Sequence, residues 1–284
     1  MQLSSYHNKT IVLTTKHQKD VCIAPSFKDI LNAKVTNCEV DTDELGTFSK
    51  ERERQGSAKD CVKIKCLWGM QVAGCSYGIA TEGSFGPHPY LPFVPGHHEI
   101  MCFHDAEKDF FLFETLFSIN TNYKQMKTER ESDLWKFSKA IFFPQHGLII
   151  RPNVSESSTI LFKGIQDIKT LMDKFKYCRE VSLDGLVHVE TDMRAYQNPM
   201  RQKVIAQLAE KLAKRLLFCC PACQTPGFGI VDVEKGLPCL RCYFATDLAK
   251  KEIWGCTRCN FCSEQPRADG LEFVTPKDCS YCNP

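Results

Sequence analysis

Four Cys-x-x-Cys pairs close the chain: Cys220/Cys223, Cys239/Cys242, Cys256/Cys259 and Cys279/Cys282. Two residues between thiolates let both sulfurs reach one tetrahedral zinc at about 2.3 Å, while the turn between them aims backbone N–H groups at the sulfurs. Eight such ligands fill two four-cysteine sites. A centre closed by four thiolates keeps no position for water, so two structural zinc ions are expected, and no catalytic one. Redox chemistry would ask for one pair in a thioredoxin-like setting, and four pairs among Gly and Pro turns do not fit it. Intervals of 15, 13 and 19 residues separate the pairs. Joining first with second and third with fourth closes the shortest loops, which chain entropy slightly favours. That sequential sharing is the expected one; nested and interleaved arrangements are the alternatives. Cys219 and Cys262 flank the pairs as expected spectators.

Residues 219–284 carry seven Lys/Arg against eight Asp/Glu, and two zinc–tetrathiolate centres each add a formal −2, for a total of about −5. So acidic a module lacks the charge that neutralises phosphates, and nucleic acid is not an expected partner. Folding around metal and docking a protein partner are the roles that suit it. A segment this small draws most of its stability from the zinc.

Three stretches further upstream carry other chemistry. Thr14, Thr15, His17 and Lys19 follow an apolar run, and hydroxyls with a lysine at a strand end suit a phosphate. Glu82 ends another apolar run and is followed by Gly83 and Gly86, which let a ligand approach the backbone; a carboxylate there can hold Mg2+. Glu190, Asp192, Arg194 and Arg201 cluster around Asn198 and Pro199, a cap and first-turn pair that opens a helix. Each stretch also has a plainer reading, as a polar turn, a Gly–Pro turn and a helix start.

The elements that must position these groups alternate. Strands are expected at Ile11–Thr15, Val35–Val40, Tyr77–Thr81, Gly147–Arg151 and Leu186–Glu190. His98–His104 and Phe110–Ile119 read as an antiparallel pair joined by the turn Asp105–Asp109. Helices are expected at Ser26–Lys34, from a Ser57 cap to Ala73, and at Glu131–Phe142, Gly164–Tyr177 and Met200–Phe218. This predicts an α/β domain with a mixed central sheet flanked by helices over residues 1–217, and a zinc-ribbon-like module over 218–284. The chain of 284 residues, 43 % hydrophobic and 25 % charged with net charge +2, has an ordinary globular composition. No apolar run approaches the ~20 residues of a membrane span, and the start lacks the apolar core of a secretory signal. A cytoplasmic setting is expected, with Cys22, Cys38, Cys61, Cys66, Cys75, Cys102 and Cys178 reduced and mostly buried.

Thr15, His17 and Lys19, the segment Asp43–Thr47, Glu82–Pro89, Glu190–Ala195 and the terminal Cys282–Pro284 together resemble a family of bacterial proteins known as a domain of unknown function. The part ahead of the zinc module also resembles the pyrophosphatases that cleave inosine or xanthosine triphosphate with Mg2+. That group opens with a strand and a Thr…Asn…Lys phosphate motif, and Thr14–Lys19 falls at that place with His17 instead of Asn. A helix lysine and an acid–glycine pair follow, as Lys65 and Glu82 with Gly83 do here. A Ser-His-Arg motif closes the group; Arg201 matches it and Met200 does not. The resemblance implies a hydrolase of nucleoside triphosphates or related phosphate compounds. Thr14, Thr15, Lys19 and Lys65 would face the phosphates, Glu82 with Glu51 or Glu53 would hold catalytic Mg2+, and Arg194 and Arg201 would stand at the base. Two other readings compete. One is a non-enzymatic nucleotide-binding or adaptor protein docking through the zinc module. The other is a transition-metal hydrolase built from His88, His97, His98 and Glu99, although adjacent residues on a strand face opposite ways. The zinc module is expected to lie over the sheet mouth near Arg201.

Overall fold

The computed structural model describes residues 4–41, 56–155 and 160–284. β1 (Thr10–Thr14) buries Ile11, Val12, Leu13 and Thr14. α1 (Asp20–Leu31) turns Cys22, Ile23, Phe27 and Leu31 inward and stops at Asn32, whose φ of 52° is left-handed. It starts ahead of the expected Ser26 because Pro25 lies on the exposed face of the helix, where its missing N–H leaves a carbonyl for water. β2 (Lys34–Cys38) pairs parallel to β1. α2 (Ala58–Ala73) begins at the expected cap: Asp60 N–H donates to Ser57 Oγ at 3.1 Å and Ser57 N–H to Asp60 Oδ2 at 3.2 Å.

β3 (Tyr77–Pro87), β4 (Pro95–Asp105) and β5 (Phe110–Ser118) complete a five-stranded sheet in the order β2-β1-β3-β4-β5. The first three strands are parallel, and β4 and β5 run antiparallel, as the mixed pattern predicts. α1 and α5 (Pro199–Arg215) share one core with Ile11, Leu13, Ile79, Met101 and Phe103. α2 covers the other face through Val62, Cys66 and Met70. The winding therefore reverses at β1, the place where open α/β sheets bind ligands beyond their carboxyl ends. β3 runs seven residues beyond its pairing with Thr14, about 23 Å of strand that walls this crevice.

The later elements do not extend this sheet. β6 (Gln125–Thr128), β7 (Leu148–Pro152), β8 (Phe162–Ile165) and β9 (Val187–Thr191) make a separate antiparallel sheet in the order β6-β9-β7-β8. α3 (Glu131–Ala140) and α4 (Ile168–Val181) pack on it through Leu134, Phe137, Leu171 and Phe175. The four-residue strands β6 and β8 are too short to register as alternation. Gly164, expected to open a helix, lies in β8 at φ 70°; Asp167 is the cap that starts α4, accepting from Thr170 N–H at 2.8 Å.

After α5 the chain forms a three-stranded antiparallel sheet of β10 (Gly229–Lys235), β11 (Ala249–Gly255) and β12 (Cys262–Pro266). No helix among the described residues is long and apolar enough to cross a membrane.

Candidate functional site

The crevice at the ends of β1 and β3 gathers charges that an apolar core would exclude. Lys19, at the start of α1, is 7 % exposed; its ammonium donates to Thr81 O at 3.1 Å and to Thr81 Oγ1 at 2.9 Å on β3. Thr81 Oγ1 donates onward to Glu99 Oε1 of β4 at 2.8 Å. Glu99, fully buried, also accepts from Arg201 Nη2 at 3.1 Å and from Arg201 Nε at 3.2 Å. His97 Nε2 donates to Glu99 Oε2 at 2.7 Å, since an ionised carboxylate only accepts. Arg201, in the first turn of α5, spends one more N–H on Met193 O at 2.6 Å, and its guanidinium lies 5.3 Å over the Phe85 ring. One residue along β3, Glu82 points to the opposite face and pairs with Lys65 of α2 at 2.6 Å.

Strand alternation explains this division. Thr81, Gly83 and Phe85 share a face with His97 and Glu99 across the β3–β4 register, whereas Glu82 faces α2 with Ile100 opposite it. Gly83 is glycine because its face is occupied: a Cβ there would lie 2.5 Å from Arg201 Nη2 and 2.6 Å from Glu99 Oε2. Gly69 does the same for α2, where a Cβ would meet Thr14 Oγ1 at 1.9 Å. That hydroxyl is buried with no hydrogen-bond partner among the described residues.

The charges shift one another. Burial, then repulsion from Arg201, lowers the Lys19 ammonium to about 8, against the opposing pull of Glu99 and Glu82. Burial works to raise the Glu99 carboxyl, but Arg201, the His97 hydrogen bond and Lys19 outweigh it and hold the group well below the usual carboxylate range. Lys19 and Arg201 lie with Glu99 on one side of β3 and Lys65 with Glu82 on the other, so these five described residues carry one positive charge in excess.

Thr14, Thr15, Lys19, Lys65, Glu82 and Arg201 thus come to one end of the sheet. Arg194 lies beside it: its guanidinium is bound to buried Asp192, through Nη2 at 2.5 Å, and rests 5.0 Å over Tyr196, whose ring is 5.5 Å from His17. Glu51 and Glu53, with Asp43–Thr47, fall outside the described residues. The expected base contact of Arg201 meets a different surrounding, because the side chain is buried and bound to Glu99, Met193 and Phe85. Thr81, His97 and Glu99 are the members that the phosphate pattern does not name. Their signal was available as His97 and Glu99 two apart, on one face of a strand.

The histidine reading is not assembled. His97 and His98 face opposite sides of β4, and His88 Nδ1 accepts from Tyr90 N–H at 3.1 Å in the turn beyond β3. Among the described residues, the only groups of three or more His, Cys, Asp or Glu with ligand atoms within 4.8 Å of one another are cysteine tetrads.

Those tetrads are Cys220, Cys223, Cys256 and Cys259, and Cys239, Cys242, Cys279 and Cys282. The first pair therefore lies with the third and the second with the fourth, correcting the expected sequential order. The reason is the hairpin: Gly229 pairs with Gly255, so residues ahead of β10 and after β11 lie at one end. Cys239 and Cys242, in the β10–β11 connection, lie at the other. Strand pairing outweighs a loop-entropy difference that grows only with the logarithm of length. Sulfur–sulfur distances of 3.7, 3.6, 4.0 and 3.7 Å match the edge of a tetrahedron around zinc, about 3.8 Å for Zn–S of 2.3 Å. Arg241 and Arg258 N–H groups donate to the Cys239 and Cys256 sulfurs, both at 3.4 Å. Gln224, Tyr243 and Asn260, each following a second cysteine, have φ of 58°, 58° and 59°, which closes the tight knuckle turn. The residues fit zinc.

The module is not at the sheet mouth. Arg215, in the last turn of α5, donates through Nε to Gly227 O at 2.9 Å and pairs through Nη1 with Glu114 of β5 at 2.5 Å, and the Gly227 backbone lies against Leu112. Fourteen residues of helix separate Arg215 from Arg201, about 21 Å. The cysteine module thus docks at the far end of α5.

Fold and centres together define an α/β protein with a buried charged crevice and a C-terminal module able to close two four-cysteine metal sites. Residues 65–284 match the family described as Domain of unknown function (DUF6671), and the chain belongs to that family. The match takes in Lys65, Glu82, Glu99, Arg201 and all eight paired cysteines. No curated protein matches the chain.

Proposed function

We propose that this chain is a Mg2+-dependent hydrolase of nucleoside triphosphates or related phosphate compounds, with the zinc module as a structural part. The observation that carries the reading is the gathering of Lys19, Lys65 and Arg201 with Glu82 and Glu99 where the sheet winding reverses, one positive charge in excess among these described residues. An anion is what such a gathering lacks. Lys19 uses two of its three ammonium donors on Thr81, so one remains for a phosphate oxygen. Lys65 would exchange Glu82 for phosphate, and the carboxylate would turn to Mg2+ as an oxygen ligand. When bound, the metal would supply charge neutralisation and an activated water. Thr14 and Thr15 line the end of β1, and the order of landmarks that resembles inosine and xanthosine triphosphate pyrophosphatases points to the same substrates.

A panel of nucleoside triphosphates with Mg2+, followed by pyrophosphate release, tests this. Turnover of at least one nucleotide is expected, falling 100-fold or more in Glu82→Gln. Release that is absent throughout, or indifferent to Glu82→Gln, removes the hydrolase. Binding without turnover would favour the second reading, a nucleotide-binding adaptor, for which the closed Lys65–Glu82 pair is the specific support.

A further inference from the structure

Outside the histidine reading, whose ligands are not brought together, Glu99 has no phosphate or metal role, yet it links three other side chains of the crevice. Its two oxygens accept from Thr81, His97 and Arg201, and through Thr81 it is one hydrogen bond removed from the Lys19 ammonium. A fully buried carboxylate is unfavourable unless it is paired and hydrogen-bonded, and this one is saturated. The Gly83 gap exists to admit its bond with Arg201. Phe85 closes the outer side by stacking on His97 at 4.4 Å, so water has little access to the pair.

We infer that Glu99 is the positioning residue of the anion site: the buried counter-ion that keeps Lys19 and Arg201 charged side by side and holds the Lys19 ammonium toward the crevice through Thr81. Two cations brought together in a dry crevice repel each other, and both lose hydration; the guanidinium keeps its charge, so the lysine is the one driven to shed its proton. One carboxylate between them removes both problems while remaining out of reach of a ligand. The Lys19 pKa near 8 agrees with this balance, burial and Arg201 drawing it down and Glu99 and Glu82 drawing it up. The charged groups acting on Lys19 are Glu82 from β3, Glu99 from β4, Arg201 from α5 and Lys65 from α2. Only the consequence for phosphate binding rests on the proposed function; the charge balance itself does not.

The test is an NMR pH titration of the full-length, zinc-loaded protein with 13C-labelled lysines, the Lys19 Cε signal being assigned with Lys19→Gln. The wild-type midpoint is expected near pH 8. In Glu99→Gln, which keeps the size and the acceptor for Thr81, it should fall by about one pH unit or more, since a nearby opposite charge is worth that much or more. Removing the competing cation in Arg201→Gln should move it the opposite way. This second variant preserves the test if Glu99→Gln does not fold. An unchanged midpoint in either folded variant overturns the inference. Inorganic pyrophosphate binding, read by calorimetry at pH 7.5, should weaken tenfold or more in Glu99→Gln. If the midpoints move as stated but the wild type binds no pyrophosphate at any pH, the charge role of Glu99 stands and the phosphate reading of the crevice falls.

Discussion

Gly83 shows how single positions govern this crevice. Its φ is unremarkable and does not require glycine; the constraint comes from the Arg201–Glu99 pair, which occupies the space a methyl group would fill. Gly83→Ala should therefore cost about 1–3 kcal/mol of stability, as overpacking does, and should displace Arg201. Urea unfolding checks the first effect. A side-chain shift of Arg201 Nε in an NMR spectrum checks the second; unfolding that matches wild type would mean that the pair has room to move. Glu82 and Glu99 make the complementary point. Both are glutamates in the middle of long strands, but Glu82 faces α2 and retains some contact with solvent, whereas Glu99 faces α5 and has none. Proposed roles follow from the facing direction: Glu82 for metal, Glu99 for charge balance.

α5 couples the parts of the molecule, and its first turn is held by Asn198. The Asn198 side chain accepts from Arg201 N–H at 3.0 Å as a helix cap. It also donates to Asn122 Oδ1 at 2.9 Å and to Asp192 O at 3.3 Å, tying the helix to segments beside the second sheet. Asn198→Ala should cost about 1 kcal/mol for the cap and about 1–3 kcal/mol more for the buried groups left unpaired. Asn198→Ser should restore the cap alone, so its loss in a denaturant titration should fall between wild type and Ala. Equal losses would show that capping contributes nothing here. The cap itself was legible as Asn198 before Pro199, and so was the Ser57 cap of α2. The partners of Asn198 were not, because Asn122 is 76 residues away and no periodicity links it to the helix.

Two interleaved cysteine tetrads, each able to hold a metal ion, tie the module into one unit rather than two consecutive fingers. Metal analysis should give about two zinc per chain. Cys220→Ser combined with Cys256→Ser should leave close to one, since both substitutions fall in one tetrad. Under sequential sharing the same pair of changes would damage both centres and leave close to none. Because Gly227 and Arg215 join the module to β5 and α5, loss of the first centre should also lower the thermal midpoint of the α/β part. A midpoint unmoved by the double substitution would mean that the module is only tethered.

The zinc knuckles, the capped helices, the strands of the five-stranded sheet and the charged character of Thr14–Lys19, Lys65, Glu82 and Arg201 were determined by the sequence alone. Ligand spacing, capping chemistry and apolar alternation are local properties, so short stretches carry them complete. The separation of a second sheet, the sharing of the knuckles, the position of the module and the part played by Glu99 were decided only by the tertiary structure. Each depends on which distant segments lie side by side. Hairpin pairing brought Cys220 to Cys256, and crossing elements brought Glu99 to Arg201, 102 residues away. The sequence marked Glu99 as a candidate metal ligand beside His88, His97 and His98; its burial among Thr81, His97 and Arg201 gave it a different place, at the centre of the crevice.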